Sequence, residues 1–334
     1  MTMKWGVIST ANIALTQFIP ALNRANRQLV AIASRGPRVH DVAQTINVEQ
    51  AYESYEALLQ DEKVEAVYIP LPNDLHVEWI EKAAQAGKHV LCEKPMTLTR
   101  EQFQHVQHSG QKYGVVVMEA FMYQFHPQYD TVKQLLQQGI IGDVKLYQSS
   151  HSFLLEDRAT NIRMDKTKGG GALWDVGCYS LHALQQLLNV PVETVYADAV
   201  LDEASGVDVT TTLQLQLQGG VRAMIDCSFD MVGRNCITIV GTKGTIHIRN
   251  AFRPDEVGHI GEIVIETPQE KRQLYVTGDI YRSEIEFFEQ VVQGQASIQQ
   301  QHALSKHNVE LITAAYHSAA TKEVVQMKQW VPYD

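Results

Sequence analysis

A chain of 334 residues is longer than the roughly 250–300 at which a single hydrophobic core stops growing, so two domains are expected. Apolar residues make up 45% and charged residues 20%, the proportions of an ordinary globular protein, and no run approaches the roughly 18 apolar residues of a membrane span. The net charge of -10 disfavours nucleic acid or an anionic membrane as principal partner, since both demand a positive surface.

The opening MTMKWGVIST passes within five residues into a strand-like run and offers no secretory signal, so a cytoplasmic protein is expected. Cys92, Cys178, Cys227 and Cys236 lack the spacing of a zinc site and are read as reduced core residues. No metal is expected. Pairing of Cys227 with Cys236 is disfavoured by that compartment.

Between Lys4 and Ala120, apolar runs alternate with helical spacing, the pattern of a parallel sheet with crossover helices. KWGVIS, LVAIAS, AVYIP, HVLCEK and VVVMEA are expected as strands. Helices are expected over 12–25, 38–46, 54–60, 75–86 and 100–112, several opening at a capping residue such as Ser54, Asn73 or Thr99. The fold class is therefore α/β: a doubly wound Rossmann-type domain over 1–120, followed by an α+β domain over 121–334 with a large, mostly antiparallel open sheet.

The change falls after FMYQFHP at 121–127. A helix near 128–138, a strand near 144–152 and a glycine-flanked helix at 174–189 precede TLQLQLQ, VRAMIDCSF, NCITIVG, GTIHIRN and EIVIET, which keep a period of two. The Gln and Thr face of TLQLQLQ suits solvent or a subunit contact. Helices at 281–293 and 302–327 close the chain.

WGVISTANIA, residues 5–14, stands where a dinucleotide-binding protein carries its glycine-rich turn, with Ser9, Ala11 and Ala14 in the glycine places. Ser9, Thr10, Ala11, Asn12 and Ile13 are candidate cofactor contacts, because amides at a helix N-terminus receive phosphate. An ordinary strand-helix turn would read the same way. The second strand ends in ASRGPR without the acid, about 20 positions past the turn, that binds an adenosine ribose. Ser34, Arg35 and Arg38 there can hold a 2′-phosphate, which favours NADP, with NAD possible; a solvated arginine is the plain alternative.

PLPNDLH offers Leu71, Pro72, Asn73 and His76, and EKP offers Glu93, Lys94 and Pro95, on the rim where parallel sheets bind ligands. His76 suits either cofactor contact or helix capping. Lys94, directly after a buried run, suits a functional role or an ion pair with Glu93. Further on, KGGG at 168–171 gives backbone access to a ligand or a flexible approach to the next helix.

EKP, PNDLH and GGGALWDVGCYSLHAL at 169–184, in this order, resemble the Gfo/Idh/MocA oxidoreductases, and the resemblance runs over essentially the whole chain. It implies an NAD(P)-dependent enzyme that interconverts a secondary alcohol and a carbonyl on a sugar, polyol or diol. In that family the lysine of E-K-P is catalytic, the next proline helps bind nicotinamide, and D-x-G-x-[HY] supplies an acid and a proton-transfer residue. These fall on Lys94, Pro95, Asp175 and Tyr179, with Tyr where many members carry His.

A phenol is a poor base at neutral pH, and a neighbouring ammonium such as Lys94 favours its ionised form. Asp175, one helical turn before Tyr179, is placed on its face; a helix-start carboxylate is the alternative. His182 and Trp174 are candidate substrate contacts, His182 equally a core histidine. The resemblance also implies a homodimer or higher homo-oligomer through the C-terminal sheet. A nucleotide-binding regulator without turnover and an NAD-dependent glycosidase of the same fold remain alternative readings.

Overall fold

The computed structural model describes residues 2–327. In the first unit, Met1–Met122 with Tyr281–His302, the strands form where the sequence is continuously apolar. They are β1 (Lys4–Ile8), β2 (Gln28–Ala33), β3 (Gln50–Tyr52), β4 (Ala66–Ile69), β5 (His89–Glu93) and β6 (Val117–Ala120). All pair in parallel in the order β3-β2-β1-β4-β5-β6. Both faces of the central strands are covered: Val7, Ile8, Val67, Ile69, Val90 and Leu91 are fully buried. The order reverses between β1 and β4, and in sheets of this kind ligands bind in the crevice at the carboxyl ends of the strands at that point.

The expected helices are present at Arg38–Thr45, Tyr55–Leu59, His76–Gln85 and Arg100–Tyr113. Ser54 Oγ accepts the Ala57 N–H at 3.2 Å and Thr99 Oγ1 the Gln102 N–H at 3.1 Å, so both cap as expected. Asn73 does not; it begins a 3₁₀ turn, Asn73–Leu75. The first helix opens as a π turn, Ala14–Phe18, and continues as α-helix over Ile19–Arg24.

One cut at residue 120 does not divide the chain, because Tyr281–His302 returns to the first unit. The reason is a buried polar anchor: Glu289 accepts the Trp5 indole N–H at 3.2 Å and the Arg27 Nε–H at 2.6 Å, while Phe288 packs on the Trp5 ring.

The second unit, Tyr123–Ile280 with Ala303–Asp334, carries a nine-stranded sheet. Its strands are β7 (Val144–Leu154), β8 (Val192–Leu201), β9 (Asp208–Leu217), β10 (Arg222–Ser228), β11 (Asp230–Gly241), β12 (Thr245–Arg249), β13 (Ile260–Glu266), β14 (Lys271–Thr277) and β15 (Val325–Gln326). The order is β14-β13-β12-β11-β7-β10-β9-β8-β15, antiparallel except for β7 with β10. Period-two alternation puts Tyr147, Leu213, Ile225, Ile237, Ile246 and Ile263 on the buried face and leaves Gln148, Thr212, Gln214 and Met224 exposed.

The last helix, Gln299–Thr321, stops six residues short of the expected 327. Lys322 turns to φ 61°, Ser318 Oγ donates to the Glu323 carbonyl at 2.6 Å, and the chain then pairs as β15. Among the described residues no helix is long and apolar enough to cross a membrane, and no group of three or more His, Cys, Asp or Glu side chains is placed to hold a metal ion. The four cysteines are free thiols.

Candidate functional site

In the first unit the crevice begins where β1 stops. Ser9 adopts φ 126°, a conformation that glycine enters without cost, so serine occupies the first glycine place with a glycine's backbone. Its N–H donates to the Ala33 carbonyl at 2.8 Å and its Oγ accepts the Ala11 N–H at 3.1 Å, which hold it there. Thr10 Oγ1 donates to Ser34 Oγ at 3.4 Å, tying this turn to the end of β2. Asn12 is exposed and Ile13 half-buried. The π turn that follows has no side-chain cap and no acid in its first turn, so the positive end of the helix is left for an anion.

Arg35 and Arg38 are exposed beyond β2, Arg38 as the first residue of its helix, and the Ser34 N–H donates to the Tyr52 carbonyl at 3.0 Å. Pro72 and Asn73 are half-buried and Leu71 is buried. His76 is 0% exposed, its Nε2 lying 2.8 Å from the Leu71 carbonyl and its Nδ1 2.9 Å from the Pro95 carbonyl. Both ring nitrogens face backbone carbonyls, so neither caps a helix. Burial pushes its pKa down; the carbonyls pull the other way and the Lys94 charge adds to the depression.

At the end of β5, Glu93 accepts the Tyr68 hydroxyl on one oxygen and the Lys94 N–H, at 3.3 Å, on the other. The Tyr68 ring stacks on Phe18 of the π turn, centroids 3.8 Å apart, which joins the two edges of the crevice. Lys94 is half-buried, Pro95 is buried, and the Lys94–Pro95 peptide is cis. The Met96 N–H donates to Glu119 Oε1 at 2.8 Å and fixes the chain beyond.

In the second unit the helix carrying Asp175 and Tyr179 also opens as a π turn, Leu173–Gly177, before continuing over Cys178–Leu188. Its start is locked by Asp208, a buried carboxylate that accepts the Leu173 N–H at 2.8 Å, the Thr211 hydroxyl at 2.8 Å and the Tyr316 hydroxyl at 2.6 Å. Desolvation still raises the Asp208 pKa against those three bonds. KGGG belongs to this lock and not to a ligand approach. A Cβ at Gly170 would lie 2.5 Å from the Arg163 carbonyl, and one at Gly171, φ 121°, would lie 2.1 Å from Asp208 Oδ1.

Asp175 Oδ2 accepts the Arg163 Nε–H at 2.6 Å, and this carboxylate, helped less by Tyr179, holds the guanidinium above its ordinary range. Asp175 is thus an ion-paired residue whose partner comes from the loop after β7. Tyr179 is buried in an aromatic wall, with centroids 5.3 Å from His151, 5.6 Å from Phe252 and 5.7 Å from Tyr123.

His182 is a core residue: it is 1% exposed, its Nδ1 shares a hydrogen bond of 2.5 Å with the Tyr123 hydroxyl, and burial pushes its pKa down to about 3. Trp174 is buried, its ring 6.1 Å from that of Tyr316. Arg163, Asp208, Tyr123, Phe252 and His151 carried no motif that singled them out. For His151 a signal existed, since alternation along β7 puts it on the buried face with Tyr147 and Ser149.

Residues 3–121 match the oxidoreductase family with an NAD-binding Rossmann fold, and residues 129–247 match the GFO/IDH/MocA C-terminal domain. Over 333 residues the chain is 35% identical to a D-xylose 1-dehydrogenase (NADP(+)) of Haloferax volcanii, covering 97% of this chain and 100% of that one. This chain belongs to the Gfo/Idh/MocA oxidoreductase family.

Two further relatives of this Gfo/Idh/MocA oxidoreductase extend the comparison. A trans-1,2-dihydrobenzene-1,2-diol dehydrogenase of Xenopus tropicalis is 35% identical over 253 residues, 74% of this chain and 76% of that one. The crystal structure of a 3-ketoreductase from Actinomadura kijaniata in complex with NADP and TDP-benzene superposes with a TM-score of 0.90 at 30% identity, covering 95% of this chain and 98% of that one. The Gfo/Idh/MocA protein described here is an NAD(P)-dependent oxidoreductase with the two-sheet architecture of its relatives.

Proposed function

We propose that this oxidoreductase prefers NADP and interconverts a secondary alcohol and a carbonyl on a sugar, polyol or diol, with Lys94 and Tyr179 moving the proton. The observation that carries the reading lies in the first unit, where an uncapped π turn with a glycine-like Ser9 is joined through Phe18 and Tyr68 to the residue preceding Lys94. Such a helix end suits pyrophosphate, and exposed Arg35 and Arg38 with Ser34 suit a 2′-phosphate. The named activities of the xylose and dihydrodiol dehydrogenases and of the NADP-bound 3-ketoreductase support the cofactor and the substrate class.

When bound, the nicotinamide accepts or supplies the hydride. The chain's own work is proton transfer: the Tyr179 phenol takes the hydroxyl proton as a carbonyl forms, or returns it on reduction, and the Lys94 ammonium favours the ionised phenol. Asp175, paired with Arg163, steadies the turn from which Tyr179 projects. The test is NADP reduction and NADPH oxidation over a panel of aldoses, polyols and diols. Turnover with several sugars or diols is expected, and full turnover retained in both Lys94→Ala and Tyr179→Phe would overturn the assigned roles.

We further infer a cytoplasmic homodimer or larger homo-oligomer joined through the outer face of the second sheet, where Gln148, Thr212, Gln214 and Met224 are exposed beside charged residues such as Arg222 and Asp226. A monomer mass by light scattering at micromolar concentration would refute that assembly.

A further inference from the structure

Pro95 follows β5 and Leu71 follows β4, and a single buried imidazole bridges their carbonyls: Nε2 of His76 at 2.8 Å from one and Nδ1 at 2.9 Å from the other. Two neighbouring strand ends on the crevice rim are therefore tied through one ring, and the Pro95 carbonyl is one residue beyond Lys94. A neutral imidazole has a single N–H and donates to only one of two carbonyls, so a second proton on the ring would complete the bridge. Lys94 and burial oppose that proton, whereas Asp74 and the carbonyls favour it.

We propose that His76 is a positioning residue for Lys94: lodged between the Leu71 and Pro95 carbonyls, donating to one and packed against the other, it fixes the backbone from which the lysine reaches the reacting centre. The clamp acts through backbone and touches neither substrate nor cofactor. The proposal rests on the reading of Lys94 given above.

The choice of variants follows from donor count. His76→Phe fills the space and leaves both carbonyls bare, while the amide NH₂ introduced by His76→Gln carries two donors and can serve both. Displacing a reacting group by a fraction of an ångström to an ångström is expected to lower kcat by about ten- to a hundredfold in His76→Phe. KM for NADPH and for the sugar should stay close to wild type, and His76→Gln should recover most of the loss.

In the cofactor-free protein, amide hydrogen exchange over 71–76 and 94–98 should quicken in His76→Phe, while helix Arg100–Tyr113 exchanges as before. A loss carried by KM, equal losses in the two variants, or a kcat within twofold of wild type in both would overturn the proposal. So would unaltered exchange in the two segments, which is read without any turnover and thus separates failure of the clamp from failure of the functional reading. If His76→Phe does not fold, His76→Asn, whose shorter amide cannot span both carbonyls, replaces it in the same comparison.

Discussion

Each unit begins its functional helix with a π turn, a feature concentrated at functional sites, and the two turns are finished in opposite ways. At Leu173–Gly177 the protein fills the helix N-terminus with its own carboxylate, Asp208, and surrounds that carboxylate with three donors and a glycine that leaves it room. At Ala14–Phe18 no side chain caps the helix and no acid stands in its first turn. A positive helix end satisfied from within serves stability and orientation, whereas one left without an internal anion is ready for a phosphate. The same local geometry thus holds a side chain in place in one unit and, on the function proposed above, serves to receive a ligand in the other.

The comparison breaks first at the two groups assigned to proton transfer. Lys94→Ala and Tyr179→Phe should each lower kcat by about 10²–10⁴-fold while the melting temperature holds, as steady-state kinetics and calorimetry will report. Next comes the filled turn. Asp208→Ala strands the Leu173 N–H and the hydroxyls of Thr211 and Tyr316, and should cost roughly 3 kcal/mol or more in urea unfolding.

Acid should reach the second unit through its histidines. His182 is held at about 3 and His307 at about 4, below the ordinary 6.5, so unfolding takes up protons as pH falls below that value. Stability is therefore full above about pH 6.5 and declines toward those lower values, by about 1.4 kcal/mol per pH unit for each of the two groups. His182→Phe should flatten the slope by one proton in denaturation curves collected from pH 7 to 4.

Smaller effects belong to the open turn. Arg35→Ala should weaken NADPH binding about tenfold and leave NADH unaltered, reducing the cofactor preference in a fluorescence titration. Asn12→Asp, which puts at the first π turn the charge that Asp208 gives the second, should cost about 1 kcal/mol in NADPH affinity without loss of folding stability. An unaltered NADPH Kd in Asn12→Asp would mean that the phosphates lie elsewhere.

Much of this was legible in the sequence, for reasons that differ by element. Buried parallel strands such as AVYI and the alternating TLQLQL declare themselves by apolar continuity or by period. β3 did not, having three half-buried residues, and neither did β14, an edge strand opening with Lys271, Arg272 and Gln273, where charge discourages further pairing. The π turns were invisible because one extra residue in a helical turn leaves the apolar spacing nearly intact. Ser9 could be placed from its position after β1, but its φ is set by bonds to Ala33 and Ala11.

Side chains whose meaning depends on distant partners were hidden most. Asp208 is 35 residues from Leu173, and Arg163 carries no motif that foretells Asp175. His76 and His182 were singled out for the right segments, yet the carbonyls of Leu71 and Pro95 and the hydroxyl of Tyr123 decide what each does. The glycines of KGGG read as freedom and turned out to be clearance.

The return of Tyr281–His302 to the first unit also governs how the molecule is born. During synthesis the ribosome delivers Met1–Met122 early, but the carboxylate that receives Trp5 and Arg27 is residue 289, so the N-terminal segment must wait, with its indole unsatisfied, while eight of the nine strands of the second sheet, β7 to β14, are translated. A fragment ending at Met122 would leave that surface bare, an exposed apolar edge of the kind that makes incomplete chains prone to aggregate, until the last sixth of the chain emerges.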